Sequence, residues 1–171
     1  PTDCESACSV DGAYVGPVSC LPLGPKGQLV ADALVGVWQT SPYYFCGYNS
    51  FSPPVTGCGQ MPANNAVYCP TDGGVAADFD MLNTLDVQFG GVGSVAVLAH
   101  EWGHLNQHTL GLLTGAPNMS DELHADCQSG LFAAIMELSG NITMTDVQGG
   151  FSAICSFGDP MQYPWFATGA H

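Results

Sequence analysis

Basic residues are nearly absent from this 171-residue chain. Lys26 is the only lysine, there is no arginine, and 15 acidic residues bring the formal charge to −14. Proteins that bind nucleic acid neutralise its phosphates with lysine and arginine, so we exclude nucleic acid as a partner. Ion pairs can also add little to stability, because there is almost no lysine or arginine to pair with the acidic residues.

Long apolar runs are missing as well. The longest ones, such as residues 93–99, are far shorter than the ~20 residues of a membrane-spanning helix, and we expect no membrane insertion. An apolar fraction of 46% nevertheless suits a globular core. The length predicts a single domain over residues 1–171, and we expect it to be a monomer.

No C-x-x-C pair occurs among the eight cysteines, which argues against zinc ribbons and thioredoxin-like motifs. Their even number and wide spacing predict disulfides formed in an oxidising compartment. The chain begins at Pro1 without a basic-then-apolar leader, so we expect the mature or trimmed form of a secreted protein. The expected pairs are Cys58–Cys69 in a hairpin and Cys127–Cys155 between two helices, with the other four, Cys4, Cys8, Cys20 and Cys46, pairing among themselves.

Apolar spacing predicts four helices and one hairpin. The helices are expected over residues 27–40, over 95–112 with Ser94 as N-cap, from an N-cap at Ser120 to residue 138, and from about 143–145 to just before residue 158. Two short apolar runs, 66–69 and 75–79, flank a PTDGG turn and predict the hairpin. Residues 1–25 and 41–65 are expected to be irregular, because they are rich in proline and glycine.

The stretch HEWGH, residues 100–104, is the clearest candidate for chemistry. On a helix, His100 and His104 lie on one face and can present two imidazoles to one metal ion. Glu101 lies ~100° further round the helix, where it can act on a water molecule beside the metal. This is the arrangement of zinc hydrolases, in which the glutamate is the general base.

A catalytic zinc ion needs a third protein ligand. The metzincin pattern would require a histidine at position 110, which is Leu110 here. His108 continues the same helical face but lies ~12 Å along the axis from His100, too far for a shared ion. Glu122, near the start of the next predicted helix, is the better candidate. Asp126, four residues later on the same face, could accept the free ring N–H of a zinc-bound histidine.

At this point the sequence resembles a known family. HEWGHLNQ followed by ELHADCQSG is similar to the H-E-x-G-H-x-x-Q and E-L-Q-A-D-C-x-A-G motifs of a bacterial family of neutral zinc metallopeptidases. YCPTDGGVAAD (68–78) and WFATG (165–169) resemble two further motifs of that family. The resemblance covers roughly residues 56–170. Residues 1–50 lie outside it, and we expect them to form an N-terminal extension packed on the catalytic part.

The resemblance implies zinc bound by His100, His104 and Glu122, with Glu101 as general base and Asp126 as the partner of a zinc ligand. It also implies a zincin-like α+β domain, mainly helical, with a small antiparallel sheet that includes the hairpin. The expected activity is hydrolysis of peptide bonds in a peptide or protein substrate by a secreted enzyme, and an edge strand could pair with an extended substrate.

One family feature is absent. Family members usually carry a His-Gly pair before the W-F segment, whereas Ser156 or Phe157 stands at that place here. If that histidine stabilises the oxyanion, Tyr163, Tyr68 or His171 would have to substitute for it.

Two other functions stay open on the sequence alone. The first is a secreted protein that binds zinc without cleaving peptides, which the missing histidine favours. The second is a disulfide-rich structural domain with a vestigial site, which would hold no metal.

Among the remaining polar groups, His108 and His124 are expected at the surface. The aspartates at 72, 78 and 80 could bind calcium, but they are less suited to it than an EF-type loop.

Overall fold

Five helices and five short strands occur in the residues that the computed structural model describes, 20–113 and 118–157. None of these helices is both long enough and apolar enough to span a membrane. The mixture confirms the expected α+β class. The chain divides into two compact units, Pro1–Asp80 and Met81–His171, and the single-domain organisation stays a prediction. In chain order the elements are α1 (Gly24–Trp38), β1 (Phe45–Tyr48), β2 (Val55–Thr56), β3 (Gly59–Gln60), β4 (Ala66–Cys69), β5 (Gly74–Asp78), α2 (Phe79–Phe89), α3 (Gly93–Thr109), α4 (Met119–Leu138) and α5 (Met144–Phe157).

Three strands of the first unit form one sheet in the order β1-β5-β4. β4 and β5 pair antiparallel, with Tyr68 opposite Val75, which confirms the predicted hairpin. β1 pairs with β5 in parallel, with Phe45 opposite Val75. The sheet is therefore mixed, and the expected all-antiparallel sheet is wrong in this respect. A parallel pair needs a long connection, which residues 49–73 provide.

The segment 41–65 is less irregular than expected, because it contains β1 and the short antiparallel pair of β2 and β3. Its prolines obscure an alternation of buried side chains at Tyr44, Cys46 and Tyr48, which share one apolar cluster. Aromatic residues favour strands. The Tyr48 hydroxyl donates a hydrogen bond of 2.6 Å to the Pro62 carbonyl and so ties β1 to the loop before β4.

Two disulfides are present among the described cysteines. Cys58–Cys69 confirms the predicted bond of the hairpin region, and Cys20–Cys46 joins the segment before α1 to β1. The predicted Cys127–Cys155 bond is wrong, because both thiols are free and exposed. Helices α4 and α5 pack through other positions, such as Gly130 beside Phe151. Cys4 and Cys8 lie outside the described residues.

Asp78, the last residue of β5, is fully buried and has a structural role. Its carboxylate accepts hydrogen bonds from the Ser50 hydroxyl (2.5 Å), the Asn64 N–H (2.9 Å) and the Asp80 N–H (2.8 Å). Asp72 likewise accepts from a tyrosine hydroxyl and a backbone N–H. Within the described residues, neither carboxylate belongs to a group of side chains that could hold a metal ion.

Helix α2 was not among the predicted elements. Its first residue, Phe79, continues the apolar run of β5, and the sequence pattern therefore includes Phe79 in the strand. Met81, Leu82 and Leu85 are buried at helical spacing, and the bond from the Asp80 N–H to Asp78 satisfies a donor at the helix start. Strand β5 ends at Asp78 and α2 begins at Phe79, so the sequence pattern shows no break between the two elements.

Helices α3, α4 and α5 match the predicted ones in position, but the predicted N-caps of α3 and α4 are wrong. Ser94 lies inside α3, where its N–H donates to the Asp86 side chain at 3.1 Å. α4 is capped by Asn118 rather than by Ser120, and Asn118 and Asp121 form a reciprocal capping box. Several polar residues in a row can each cap a helix, so the sequence alone leaves the boundary open by a residue or two.

Replacing Asp78 by asparagine should destabilise the fold, because an amide nitrogen would face backbone N–H donors that the carboxylate now satisfies. We expect D78N to lower the free energy of unfolding by about 2–4 kcal/mol. Asp32→Asn, at an exposed position of α1, is the matched control and should change it by less than about 0.5 kcal/mol. Chemical denaturation measures both values, and equal small effects would contradict the structural role of Asp78.

Candidate metal centre

The two histidines of HEWGH face each other on α3. Their ring centroids are 4.8 Å apart with the planes nearly perpendicular, and the two Nε2 atoms lie 3.1 Å from each other. The side chain of His104 is almost fully buried, and that of His100 is 14% exposed. The four-residue spacing therefore directs both rings to one point, as predicted.

Glu122 reaches the same point from the first turn of α4. Its Oε2 atom lies 3.0 Å from Nε2 of His100 and 3.2 Å from Nε2 of His104. The capping box at the start of α4 holds this turn in place. Within the described residues, these three side chains are the only group of three or more metal-ligating residues that come together.

A glycine in the motif allows the two helices to approach closely enough for this contact. A Cβ atom on Gly103 would lie 2.9 Å from the Cα atom of Ala125 on α4, closer than real side chains come. Hydrogen bonds from Asn106 to Gln128 (2.7 Å) and from the Ser129 hydroxyl to an α3 carbonyl (2.8 Å) also join the helices. Glu122 lies one turn before Ala125 and is held against the histidines by this packing.

Asp126 contacts the outer nitrogen of His100, as predicted. Its Oδ1 atom lies 2.8 Å from Nδ1 of His100. A carboxylate accepts hydrogen bonds, so Nδ1 of His100 donates to Asp126, and Nε2 is left as the ring nitrogen that could bind a metal ion. Asp126 therefore orients a candidate metal ligand without joining the three donor atoms.

Gln107 makes the corresponding contact to His104, and no role was predicted for it. Its Oε1 atom lies 2.8 Å from Nδ1 of His104, and its side chain is fully buried. Its position three residues after His104, on the same helical face, could have indicated this contact. The family pattern H-E-x-G-H-x-x-Q also includes it.

The charges of the site shift the pKa values of its members. Burial alone would lower the pKa of His100, but hydrogen bonds to Asp126 and Glu122 and the charges of Glu101 and Glu122 raise it to about 10 from 6.5. The pKa of His104 is also raised, because Glu122 and Glu101 outweigh its burial. Burial would raise the pKa of Glu122, yet hydrogen bonds from both histidines lower it to about 2 from 4.5. The cluster therefore favours positive charge at its centre.

The donor set fits a zinc ion. Two imidazole nitrogens and one carboxylate oxygen are the protein ligands of one class of catalytic zinc site. Ligand atoms ~2.0–2.1 Å from a tetrahedral zinc ion stand about 3.3–3.4 Å from one another. The three donor atoms here are 3.0, 3.1 and 3.2 Å apart, close to that spacing.

Glu101, the predicted general base, is a buried residue of α3 with 7% of its surface exposed. Its negative charge raises the pKa of both His100 and His104, so the carboxylate interacts electrostatically with both rings. His108 and His124 are exposed, as expected, and do not belong to the donor group.

The described structure does not test the residues considered for the oxyanion. Tyr68 is a buried residue of β4 in the first unit, where burial and the charge of Asp72 raise the pKa of its phenol. Its role stays a prediction. Tyr163 and His171 lie outside the described residues.

Comparison with known proteins gives a family and several relatives. The family described as “Putative neutral zinc metallopeptidase” matches residues 48–162. An uncharacterized protein of Mycobacterium tuberculosis is 38% identical in an alignment 94 residues long, which covers 46% of this chain and 31% of that protein. The uncharacterized protein YpfJ of Escherichia coli is 29% identical in an alignment 122 residues long, which covers 61% of this chain and 42% of that protein. This chain therefore spans less than half the length of these relatives.

No solved structure matches the chain, so the zincin-like fold stays a prediction. The family match covers more than half of the chain and includes α3 and α4, which carry the three donor atoms. The matched range therefore includes the three residues that form the site. The chain belongs to the family described as putative neutral zinc metallopeptidases.

Proposed function

We propose that this protein is a zinc-dependent peptidase with His100, His104 and Glu122 as zinc ligands and Glu101 as general base. The convergence of three donor atoms within 3.0–3.2 Å of one another carries the proposal. Membership of the family and the burial of Glu101 beside the ligands support it. The mixed α+β fold and the His₂Glu group do not depend on catalysis.

Zinc in such a site polarises the carbonyl of the substrate and makes water more acidic. Glu101 takes a proton from the attacking water as its oxygen bonds to the carbonyl carbon. The carboxylic acid then passes this proton to the nitrogen as the C–N bond breaks, so that Glu101 returns to its ionised form. Asp126 and Gln107 keep the ring protons on the outer nitrogens and leave the Nε2 lone pairs free to bind the ion.

The same proposal includes secretion and a peptide or protein substrate. Two disulfides among the described residues agree with an oxidising, extracytoplasmic location. The formal charge of −14 would speed the approach of cationic substrates. We propose that the protein acts as a monomer, without nucleic acid or membrane as partners.

A zinc-binding protein without peptidase activity is the second candidate. It is favoured by the absence of a histidine before the W-F segment, where family members usually carry one. Both functions require the same three ligands, so zinc content cannot distinguish them. A substitution of Glu101 can, because only the peptidase needs a general base.

Replacing Glu101 by glutamine removes the proton acceptor and leaves the three ligands in place. We expect E101Q to keep one zinc ion per chain and to lose peptidase activity by about 10²–10⁴-fold. Glu137→Gln, near the other end of α4, is the control for the same chemical change and should retain activity. Metal analysis and cleavage of a broad peptide library measure the two properties. Wild-type protein that holds stoichiometric zinc but cleaves no peptide would contradict the peptidase function and favour the second candidate.

After zinc is removed, the free energy of unfolding should fall as the pH becomes alkaline. The pKa of His100 is raised in the folded protein, so its contribution is complete below pH 6.5 and is lost as the pH rises toward about 10. The pKa of Glu122 is lowered, so its contribution is complete above pH 4.5 and is lost as the pH falls toward about 2. Metal-free protein should therefore be less stable at about pH 9 than at about pH 6.

Bound zinc takes the place of these protons and requires deprotonated imidazoles, so the stabilisation that zinc provides should grow as the pH rises. Thermal unfolding with a chelator and with excess zinc, each at about pH 6 and about pH 9, measures this difference. A gap between the two melting temperatures that is the same at both pH values would contradict the prediction.

A further inference from the structure

We infer that Gln107 is a positioning residue for zinc binding, which fixes the tautomer of His104 and links the ligands of the two helices. The inference rests on the proposed zinc site but not on peptidase activity. Gln107 is fully buried, so both ends of its amide need hydrogen-bond partners within the protein.

The orientation of the Gln107 amide follows from its second contact. Its Nε2 atom lies 2.6 Å from the backbone carbonyl oxygen of Asp121. A carbonyl oxygen only accepts, so the amide nitrogen must face Asp121 and the amide oxygen must face His104. The reverse orientation would set two oxygen atoms against each other at hydrogen-bond distance.

This orientation fixes the proton on His104. The Gln107 Oε1 atom is an acceptor, so Nδ1 of His104 must donate across the distance of 2.8 Å. Nε2 of His104 is then without a proton in the neutral ring. It lies 3.2 Å from the Glu122 carboxylate, on the side where zinc would bind. Without Gln107, either nitrogen of the buried ring could carry the proton.

The same amide joins the ligands of the two helices. The carbonyl that it contacts belongs to Asp121, the residue directly before Glu122, and Asp121 also completes the capping box of α4. One side chain therefore holds a ligand on α3 and the backbone that carries the ligand on α4. Asp126 orients only His100, and its side chain is 37% exposed.

Gln107→Met tests this role, because methionine has a similar size but neither accepts from His104 nor donates to Asp121 as an amide does. Gln128→Met is a matched control: Gln128 is also buried and also joins α3 to α4, through its bond of 2.7 Å with Asn106, but it touches none of the three ligands. Zinc affinity is measured by competition with a chelator, after circular dichroism has established that each variant is folded.

We expect Q107M to bind zinc about 10–100-fold more weakly than wild type, the usual effect of removing the partner of a ligating histidine. Q128M should bind zinc nearly as well as wild type. Equal losses in the two variants would show a merely structural role and overturn the inference, as would unchanged affinity in Q107M. Wild-type protein that binds no zinc would overturn the proposed function as well, whereas zinc binding without peptidase activity leaves this test intact.

A measurement on the wild-type protein covers the case in which Q107M does not fold. Nitrogen-15 NMR of the zinc-loaded protein reports which ring nitrogen of His104 carries a proton. We expect a protonated Nδ1 and a metal-bound Nε2. A proton on Nε2, or zinc bound through Nδ1, would overturn the inference.

Discussion

The close packing of α3 against α4 at Gly103 and Ala125 is the constraint on which the metal centre depends. Any side chain at position 103 would have to displace the backbone of α4, and Glu122 lies in the turn that would move. The histidines need only the geometry of their own helix, whereas the third donor atom needs two helices at short range. This explains a glycine in the middle of a helix, where it otherwise lowers stability.

The partners of the two histidines differ in a way that follows from burial. Asp126 carries a charge and is partly exposed, whereas Gln107 is neutral and fully buried. A second carboxylate in that interior, close to Glu122 and Glu101, would be costly because isolated buried charges lose their hydration. An amide provides the acceptor that His104 needs without adding charge. The negative charge of the site thus remains close to the point where a cation would be held.

Much of the site could be predicted from the sequence, because its ligands follow helical spacing. His100 and His104 share a face by periodicity alone, and Glu122 and Asp126 repeat that spacing on the next helix. No role was predicted for Gln107, although its position three residues after His104 on the same helical face could have indicated the contact. Strand β1 was obscured by neighbouring prolines, and α2 by an apolar run continuous with β5. The prediction of a Cys127–Cys155 bond is wrong because the number of cysteines does not indicate which helix faces carry them.

We propose that zinc binds through two imidazoles and one carboxylate. X-ray absorption at the zinc edge of the purified, zinc-loaded protein tests it most directly, because the spectrum separates nitrogen and oxygen ligands from sulfur. We expect only nitrogen and oxygen at about 2.0–2.1 Å, with the outer-shell scattering of two imidazole rings. The described chain also offers the exposed thiols of Cys127 and Cys155. Sulfur at about 2.3 Å, or scattering from fewer than two imidazoles, would contradict the claim.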